Sequence, residues 1–218
     1  MSLRRAKQRA RADLFGEIAD LGASTCRYVD PRFTEVAVKV FPGEHHVTQL
    51  DDEMLVTVLG SCVAACIRDP FAGVGGMNHF MLPEAGYSTN SSWDVVSSGM
   101  RYGNEAMERL INDILVRGGR RERLEIKVFG GGNVMNASSN IGHRNADFVE
   151  DYLAAEGLPI AAAHLRGNLA RRVHYFPATG KAMVLELRPN EELAELQVEA
   201  LYKSKLEAEP VTGSAELF

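Results

Sequence analysis

Residues 54–83 read MLVTVLGSCVAACIRDPFAGVGGMNHFMLP, and this stretch contains the strongest fold signals of the chain. Its first six residues are apolar apart from one threonine and end at Gly60-Ser61, which predicts a strand followed by a tight turn. The apolar element that follows could be a strand or a helix, because so short a run does not distinguish the two. A turn is predicted at Asp69-Pro70, and a further strand ends at Pro83.

The sequence on either side of this stretch alternates between strand-like and helix-like segments. Upstream, residues 35–43 alternate like a strand and end at Pro42-Gly43. Downstream, a long helix is predicted with Asp94 as its N-cap and Gly118-Gly119 as its end. The other predicted elements are a strand over residues 124–129, a helix over residues 145–155, and strands in LPIAAAHLR, RRVHYFP and KAMVLELRP. Interleaved strands and helices with short turns predict an α/β layered domain with a mixed sheet.

The composition is that of an ordinary globular protein. Of the 218 residues, 45% are hydrophobic and 24% are charged, and the net charge of -5 argues against a broad nucleic-acid-binding surface. No apolar stretch is long enough to span a bilayer or to act as a secretory signal, so we expect a cytoplasmic protein without membrane insertion.

We expect three regions along the chain. Residues 1–35 form a basic N-terminal extension, helical or flexible, with a dense run of arginine and lysine between Arg4 and Arg11. That run is either a solvated arm or a contact for an acidic partner or an anionic membrane surface. Residues 36–190 form the main domain, and residues 191–218 form a helical tail.

A candidate nucleophile lies at the predicted turn. Cys62 follows Gly60-Ser61 where a strand ends, and such a turn can hold a thiol out of the sheet and present backbone N–H groups as an oxyanion hole. A thiol at neutral pH needs a base, and His79 in the same compact unit could be that base. Thr57 or Asn78 could orient the imidazole. The alternative is that the cysteine and the histidine are packing residues, since free cysteine is among the most often buried residue types.

Three other patterns are weaker. Residues 130–133, GGGN, follow a strand as a phosphate-binding loop would, but no Lys-Ser/Thr pair follows, so close packing is the favoured interpretation. His45-His46, the nearby cysteines and His79 do not have the spacing of a closed zinc site. We therefore expect no metal and no cofactor. Residues 143–145, HRN, precede the second predicted helix and could be caps or could help shape the substrate groove, and caps are the favoured interpretation.

The run LVTVLGSCVAACIRDPFAGVGGMNHFMLP closely resembles the signature of the chemoreceptor glutamine deamidase family CheD. KVFGGGNVM, IGHRN and RRVHYFPATGKAMVLELR follow in the same order as in that family, so the resemblance covers about residues 41–189. It implies a three-layer α/β/α sandwich with mixed, largely antiparallel sheets, similar to the catalytic domains of deamidating toxins. It also implies a protein-glutamine glutaminase that hydrolyses selected glutamines of methyl-accepting chemotaxis receptors to glutamate and ammonia, without metal or cofactor.

The same resemblance implies the site residues. Cys62 matches the nucleophile of the family, His79 its partner and Thr57 the third member of the site. The backbone around Gly60 and Ser61 is expected to stabilise the oxyanion. The residues expected to border the substrate groove are Asn78, Gly131 and Asn133.

The sequence therefore leads to one main hypothesis and two alternatives. The main hypothesis is a deamidase acting on chemotaxis receptors, with the phosphatase CheC as a further expected partner. The alternatives are a non-catalytic adaptor that binds receptors or CheC, and a broader cysteine amidase or peptidase. Because an adaptor has little need for both Cys62 and His79, the pair favours an enzyme.

Overall fold

The structure, a computed structural model, describes residues 26–83, 92–134 and 140–188, together with residues 197, 200–202 and 204. In the first helix the side chains are described from Met100 onward. The strands in this part of the chain are β1 Cys26–Val29, β2 Val36–Lys39, β3 His45–Thr48, β4 Glu53–Leu59, β5 Val63–Asp69, β6 Val74–Asn78, β7 Glu125–Gly130, β8 Ile160–Leu165, β9 Arg171–Phe176 and β10 Lys181–Glu186. The helices are α1 Ser92–Val116 and α2 Ile141–Ala155, with a short 3-10 turn at Arg121–Arg123.

The strands form two five-stranded sheets. Sheet A has the order β1-β2-β4-β9-β10, and sheet B has the order β3-β6-β5-β7-β8. The pairs β2–β4 and β7–β8 are parallel, and the other six pairs are antiparallel. The prediction of mixed, largely antiparallel sheets is therefore confirmed.

The core has two main apolar layers. One lies between the two sheets and includes Leu55, Leu59, Ala64, Met77 and Tyr175. The other lies between sheet B and the helices and includes Ile67, Phe80, Leu110, Ile126 and Phe148.

The layer order follows from the sequence of the central strands. The α/β class is confirmed, and both described helices pack on sheet B, so the described layers run sheet A, sheet B, helices. Strand β6 is buried throughout and β5 nearly so, and strands buried on both faces need a cover on each side. Sheet A covers one side of sheet B, and the helices cover the other.

The link between β4 and β5 crosses from one sheet to the other. Strand β4 is central in sheet A, and β5 is central in sheet B. The three residues between them, Gly60, Ser61 and Cys62, therefore pass across the inter-sheet layer, and all three are buried. This crossing decides where the candidate nucleophile lies.

Two predicted helix starts are wrong. Helix α1 begins at Ser92, so Asp94 lies inside the helix and is not its N-cap. Helix α2 begins at Ile141, four residues earlier than predicted, so residues 143–145 are helical and are not caps. In both cases the polar residues that suggested a start belong to the first turns of the helix.

Two strands were not predicted. Strand β3 contains the His45-His46 pair, and β1 lies within the predicted N-terminal extension, where it pairs with β2 in sheet A. The rest of that extension, residues 1–25, and most of the predicted tail lie outside the described residues. Among the helices that are described, none is both long enough and apolar enough to cross a bilayer.

Candidate active site

The Cys62 side chain is fully buried in the layer between the sheets. The expectation that the turn would hold this thiol out toward an opening is therefore not met in this conformation. The reason is the sheet crossing, because a residue that enters β5 from sheet A has sheet A as its cover. Any reaction at Cys62 consequently requires a movement that admits the substrate.

Thr57 and His79 come together between the sheets. Thr57 Oγ1 lies 2.7 Å from His79 Nδ1, and the same hydroxyl donates a hydrogen bond of 2.8 Å to the carbonyl oxygen of Val40. A hydroxyl has one proton to donate, so it accepts from Nδ1–H of the imidazole. The neutral ring is therefore protonated at Nδ1, and its Nε2 has a lone pair.

The other imidazole nitrogen has a different environment. His79 Nε2 is buried and has no hydrogen-bond partner among the described residues. Burial, with a smaller contribution from the positive charge of Lys39, lowers the pKa of His79 from 6.5 to about 3. The ring is therefore neutral at neutral pH, and Nε2 is a weak base in this buried state.

Cys62 and His79 face the same layer from adjacent arms of sheet B. The bridge between Val63 and Phe80 sets the register of these arms, and it makes Cys62 and His79 diagonal neighbours. Diagonal neighbours of an antiparallel pair lie about 7 Å apart, which is within reach of a long or aromatic side chain. The predicted pair is therefore brought to one face of one sheet.

The glycine loop after β7, residues 130–132, holds the backbone around Cys62. The N–H of Gly131 donates to the carbonyl oxygen of Cys62 at 2.7 Å, and the N–H of Gly132 donates to that of Gly60 at 2.8 Å. Gly130 has a φ of 109°, and a Cβ there would lie 2.1 Å from the Cys62 carbonyl oxygen. Only glycine permits this approach, so the loop packs against the nucleophile turn.

The side chain of Asn78 hydrogen-bonds to backbone groups of β5 and α1. Its side-chain oxygen accepts from the N–H of Ala65 at 2.8 Å, and its amide donates to the carbonyl oxygen of Ala106 in α1 at 3.0 Å. Asn78 therefore joins sheet B to α1, and Thr57 is the residue bonded to His79. Asn133 follows the glycine loop, and its N–H donates to the carbonyl oxygen of Gly167 at 2.8 Å.

Sequence reasoning missed the part played by Asn145. Its amide donates to the carbonyl oxygen of Ser61 at 2.8 Å, and its side-chain oxygen accepts from the N–H of Leu82 at 2.9 Å. The residue is fully buried in α2. A polar residue on the same helical face as Ile141 and Phe148 was the available signal.

A small pocket borders His79 at the edge of sheet B. Its volume is about 140 Å³, and it is lined by Gly43 to His45, Asn78, His79 and, from α1, Tyr102, Glu105, Ala106 and Arg109. Tyr202, from the described part of the C-terminal segment, contacts Gly43 and the hydroxyl of Tyr102. His79 is part of its lining, so this pocket borders the imidazole arm.

The other cysteines differ from Cys62 in their surroundings. Cys26 is exposed on β1, whereas Cys66 is fully buried on the same face of β5 as Cys62. Burial raises the pKa of the Cys66 thiol well above its usual value, which keeps it protonated. Within the described ranges, no three His, Cys, Asp or Glu side chains are grouped in a way that could hold a metal ion.

Comparison with known proteins finds close relatives along most of the chain. The sequence is 73% identical, over 89% of this chain and 90% of the relative, to a probable chemoreceptor glutamine deamidase CheD of Rhodopseudomonas palustris (strain BisA53). It is 51% identical to a protein of the same name from Saccharophagus degradans, over 88% of this chain and 89% of that one.

A family model and a solved structure add to this comparison. The hypothetical protein YfiH of Bacillus licheniformis is only slightly similar in structure, with a TM-score of 0.34 and 13% identity over 57% of this chain and 50% of that chain. The family described as "CheD chemotactic sensory transduction" matches residues 81–186. With relatives this similar over most of its length, the chain belongs to the CheD family.

Proposed function

We propose that this chain is a protein-glutamine deamidase that converts glutamine side chains of chemotaxis receptors to glutamate through a thioester on Cys62. The observation that carries the proposal is the hydrogen-bonded state of His79. Its Nδ1 is bonded to Thr57, while its Nε2 is buried with no partner among the described residues. The relatives named chemoreceptor glutamine deamidase supply the substrate class.

In the proposed reaction, the movement that admits the substrate also brings the Cys62 thiol into hydrogen-bond contact with His79 Nε2, which has no partner in the described conformation, and the thiol proton passes to that nitrogen. The thiolate attacks the carboxamide carbon of the substrate glutamine and forms a tetrahedral intermediate. The C–N bond then breaks, ammonia leaves with the proton from Nε2, and an acyl thioester remains on the sulfur. Water, deprotonated by Nε2, attacks the thioester and releases glutamate, and the proton returns to the sulfur.

The environment of His79 fixes its tautomer and favours release of its proton, whereas its low pKa makes it a weak base toward the thiol in the buried state. Thr57 accepts the Nδ1–H bond and keeps Nε2 as the basic nitrogen, which is how a third group fixes the imidazole of a catalytic dyad. Because burial holds the pKa of His79 near 3, the ring begins the cycle neutral and gives its proton readily to ammonia.

We propose the backbone of the Gly60 to Cys62 turn as the oxyanion site. The N–H groups of Gly131 and Gly132 already donate to the carbonyl oxygens of Cys62 and Gly60, so these bonds hold the turn in place. A well-placed backbone donor contributes about 3 kcal/mol to an oxyanion transition state. Hydrolysis by this route requires neither a metal nor a cofactor.

The substrate must reach a sulfur that is fully buried in the described conformation. We propose that receptor binding moves the cover of the site, which includes the contacts of Tyr202 with Gly43 and Tyr102. We also predict that the reaction takes place in the cytoplasm and that CheC regulates it.

Alanine variants of the two buried cysteines, Cys62 and Cys66, together with one of His79, test the proposal. We expect Cys62→Ala and His79→Ala to reduce ammonia release from purified receptor by at least about 10³-fold. The control is Cys66→Ala, because Cys66 lies on the same face of β5, is equally buried and has a thiol that stays protonated. Mass spectrometry of receptor peptides should show glutamine converted to glutamate with this control and not with Cys62→Ala.

Two results would overturn the assignment. Cys62→Ala protein that deamidates at the wild-type rate would remove Cys62 from the reaction. Folded Cys66→Ala protein without activity would place the reaction at the other thiol. The full burial of Cys62 also favours the second candidate, a non-catalytic adaptor, which predicts receptor binding without ammonia release from any variant.

A further inference from the structure

We propose that Asn145 is a positioning residue that holds the Cys62 turn and the His79 arm at their working separation. This inference rests on the proposed function for its catalytic consequence. Its structural part rests on the two hydrogen bonds of a single buried amide, one to each arm.

The side-chain amide of Asn145 occupies the place of an expected backbone hydrogen bond between Leu82 and Ser61. Val63 and Phe80 exchange both of their backbone hydrogen bonds, each 2.9 Å long, so they form a hydrogen-bonded pair of an antiparallel ladder. Such pairs recur at every second residue, and the next pair in this register is Ser61 with Leu82. A regular ladder would join the N–H of Leu82 directly to the carbonyl oxygen of Ser61.

Asn145 replaces that direct bond with two bonds in series. The N–H of Leu82 donates to the Asn145 side-chain oxygen at 2.9 Å, and the Asn145 amide donates to the Ser61 carbonyl oxygen at 2.8 Å. The inserted amide satisfies both backbone groups and widens the gap between the arms. Cys62 directly follows Ser61 on one side of this gap, and His79 lies on the opposite arm, three residues before Leu82.

The position of the amide is itself fixed by helix α2. A Cβ on Gly142 would lie 2.1 Å from the carbonyl oxygen of Gly132, so the first turn of α2 packs directly on the glycine loop. The same loop donates to the carbonyl oxygens of Gly60 and Cys62. Helix α2 therefore holds the nucleophile turn twice, through the glycine loop and through Asn145.

Two variants separate the bonds that Asn145 makes. Asn145→Asp has the same shape and keeps an acceptor for Leu82, but it places an oxygen against the Ser61 carbonyl oxygen. Asn145→Ala removes the inserted group and lets the two arms approach each other. Since a displacement of about 1 Å at a reacting centre lowers a rate by about 10²-fold, we expect kcat to fall by that factor in both variants while KM changes less than about threefold.

A spectroscopic readout makes the test independent of deamidation. In protein labelled with 15N-histidine, the Nδ1–H signal of His79 reports its bond to Thr57. We expect this signal to shift or broaden in both Asn145 variants. The matched control is Asp69→Asn, which alters another buried bridging side chain at the opposite end of β5 and should leave the His79 signal and the kcat of folded protein unchanged.

The outcomes distinguish the two proposals. Wild-type kcat and an unchanged His79 signal in folded Asn145→Asp protein would overturn the positioning role, as would equal losses of kcat in Asn145→Asp and Asp69→Asn. If the wild-type protein releases no ammonia, the proposed function fails, and the His79 signal still decides whether Asn145 positions the two arms.

Discussion

The two ends of strand β5 bury polar groups in opposite ways. At one end Asp69 is fully buried, and its carboxylate accepts from three backbone N–H groups and from the Arg123 guanidinium at 2.5 to 3.1 Å. At the other end His79 bonds to Thr57 through Nδ1, whereas its buried Nε2 has no partner in the described part of the chain.

The difference separates a structural group from a candidate catalytic one. Burial alone would raise the pKa of Asp69, but the bonds from Arg123 and the backbone outweigh it and lower the pKa to about 2. Nothing comparable compensates His79, whose pKa burial lowers to about 3. An unpaired buried polar atom costs about 1 to 3 kcal/mol. His174 Nε2 and Arg171 Nε are also buried and unpaired within the described ranges. His79 is therefore distinguished by its bond to Thr57 and its place on the Cys62 face of the sheet.

The largest expected effect on stability is at Asp69. Asp69→Asn removes the charge that Arg123 and the backbone donors surround, and breaking a buried ion pair lowers the free energy of unfolding by about 3 kcal/mol. Urea denaturation measures this loss. Since Asp69 is remote from the Cys62 end, kcat per folded molecule should stay at the wild-type value.

A control and a contrary result define this prediction. Glu105→Gln removes an exposed ion pair with Arg109 on α1, and it should change the unfolding free energy by less than about 0.5 kcal/mol. A fall in kcat for folded Asp69→Asn protein would show that the two ends of β5 are coupled, and the contrast between them would not hold.

The next largest effect is expected at Thr57. Thr57→Val keeps the shape of the side chain and removes the acceptor of the His79 Nδ1–H bond, so the ring loses the contact that fixes its orientation. We expect kcat to fall by about 10²-fold, with a loss of about 1 kcal/mol in unfolding free energy. Ammonia release at saturating receptor concentration gives kcat.

Thr57→Ser is the matched control because it keeps the hydroxyl. It should retain kcat within about threefold, since both hydrogen bonds of the hydroxyl persist. If Thr57→Val has wild-type kcat, Thr57 orients nothing, and the unpaired Nε2 of His79 loses its catalytic interpretation.

The central strands were predictable because their signals are local. Strand β4 follows from an apolar run that ends at a glycine turn, and β6 lies within the segment that was predicted as a strand up to Pro83, although β6 itself ends at Asn78. Strands β1 and β3 lie at sheet edges and carry polar residues. They are strands because they pair with β2 and β6, and a local sequence pattern contains no information about that pairing. In β3, the pairing depends on Gly76, where a Cβ would lie 2.5 Å from the carbonyl oxygen of His46.

The candidate site was predictable only in part. Cys62, His79 and Thr57 stand close together in the sequence, and adjacent strand arms bring them to one layer. The burial of Cys62 was not predictable, because it depends on sheet A covering the crossing from β4 to β5. The contact of Asn145 with Ser61 joins residues 84 positions apart, so no local pattern predicts it. Because α2 was predicted to start at Asn145 and in fact starts at Ile141, the sequence prediction did not place Asn145 on the buried face of the helix.

The smallest effect concerns pH and the unpaired nitrogen itself. Because the folded pKa of His79, about 3, lies below its ordinary value of 6.5, the unfolded chain binds a proton first as the pH falls. The stabilising contribution of neutral His79 is therefore complete above the unfolded pKa and decreases as the pH falls toward the folded pKa. Between about pH 8 and about pH 5 the loss is about 2 kcal/mol.

Removing the imidazole should remove this part of the pH dependence. His79→Gln has no titrating group at position 79, so its unfolding free energy should fall less than that of the wild type between about pH 8 and about pH 5. Burial also lowers the pKa of His174, so His174→Gln measures the contribution of this second buried histidine. The buried carboxylates of Glu53 and Asp69 titrate below this range, since their pKa values are about 2. Equal slopes for wild type and His79→Gln would mean that His79 is protonated as easily in the folded as in the unfolded chain, and that its Nε2 is open to water or paired.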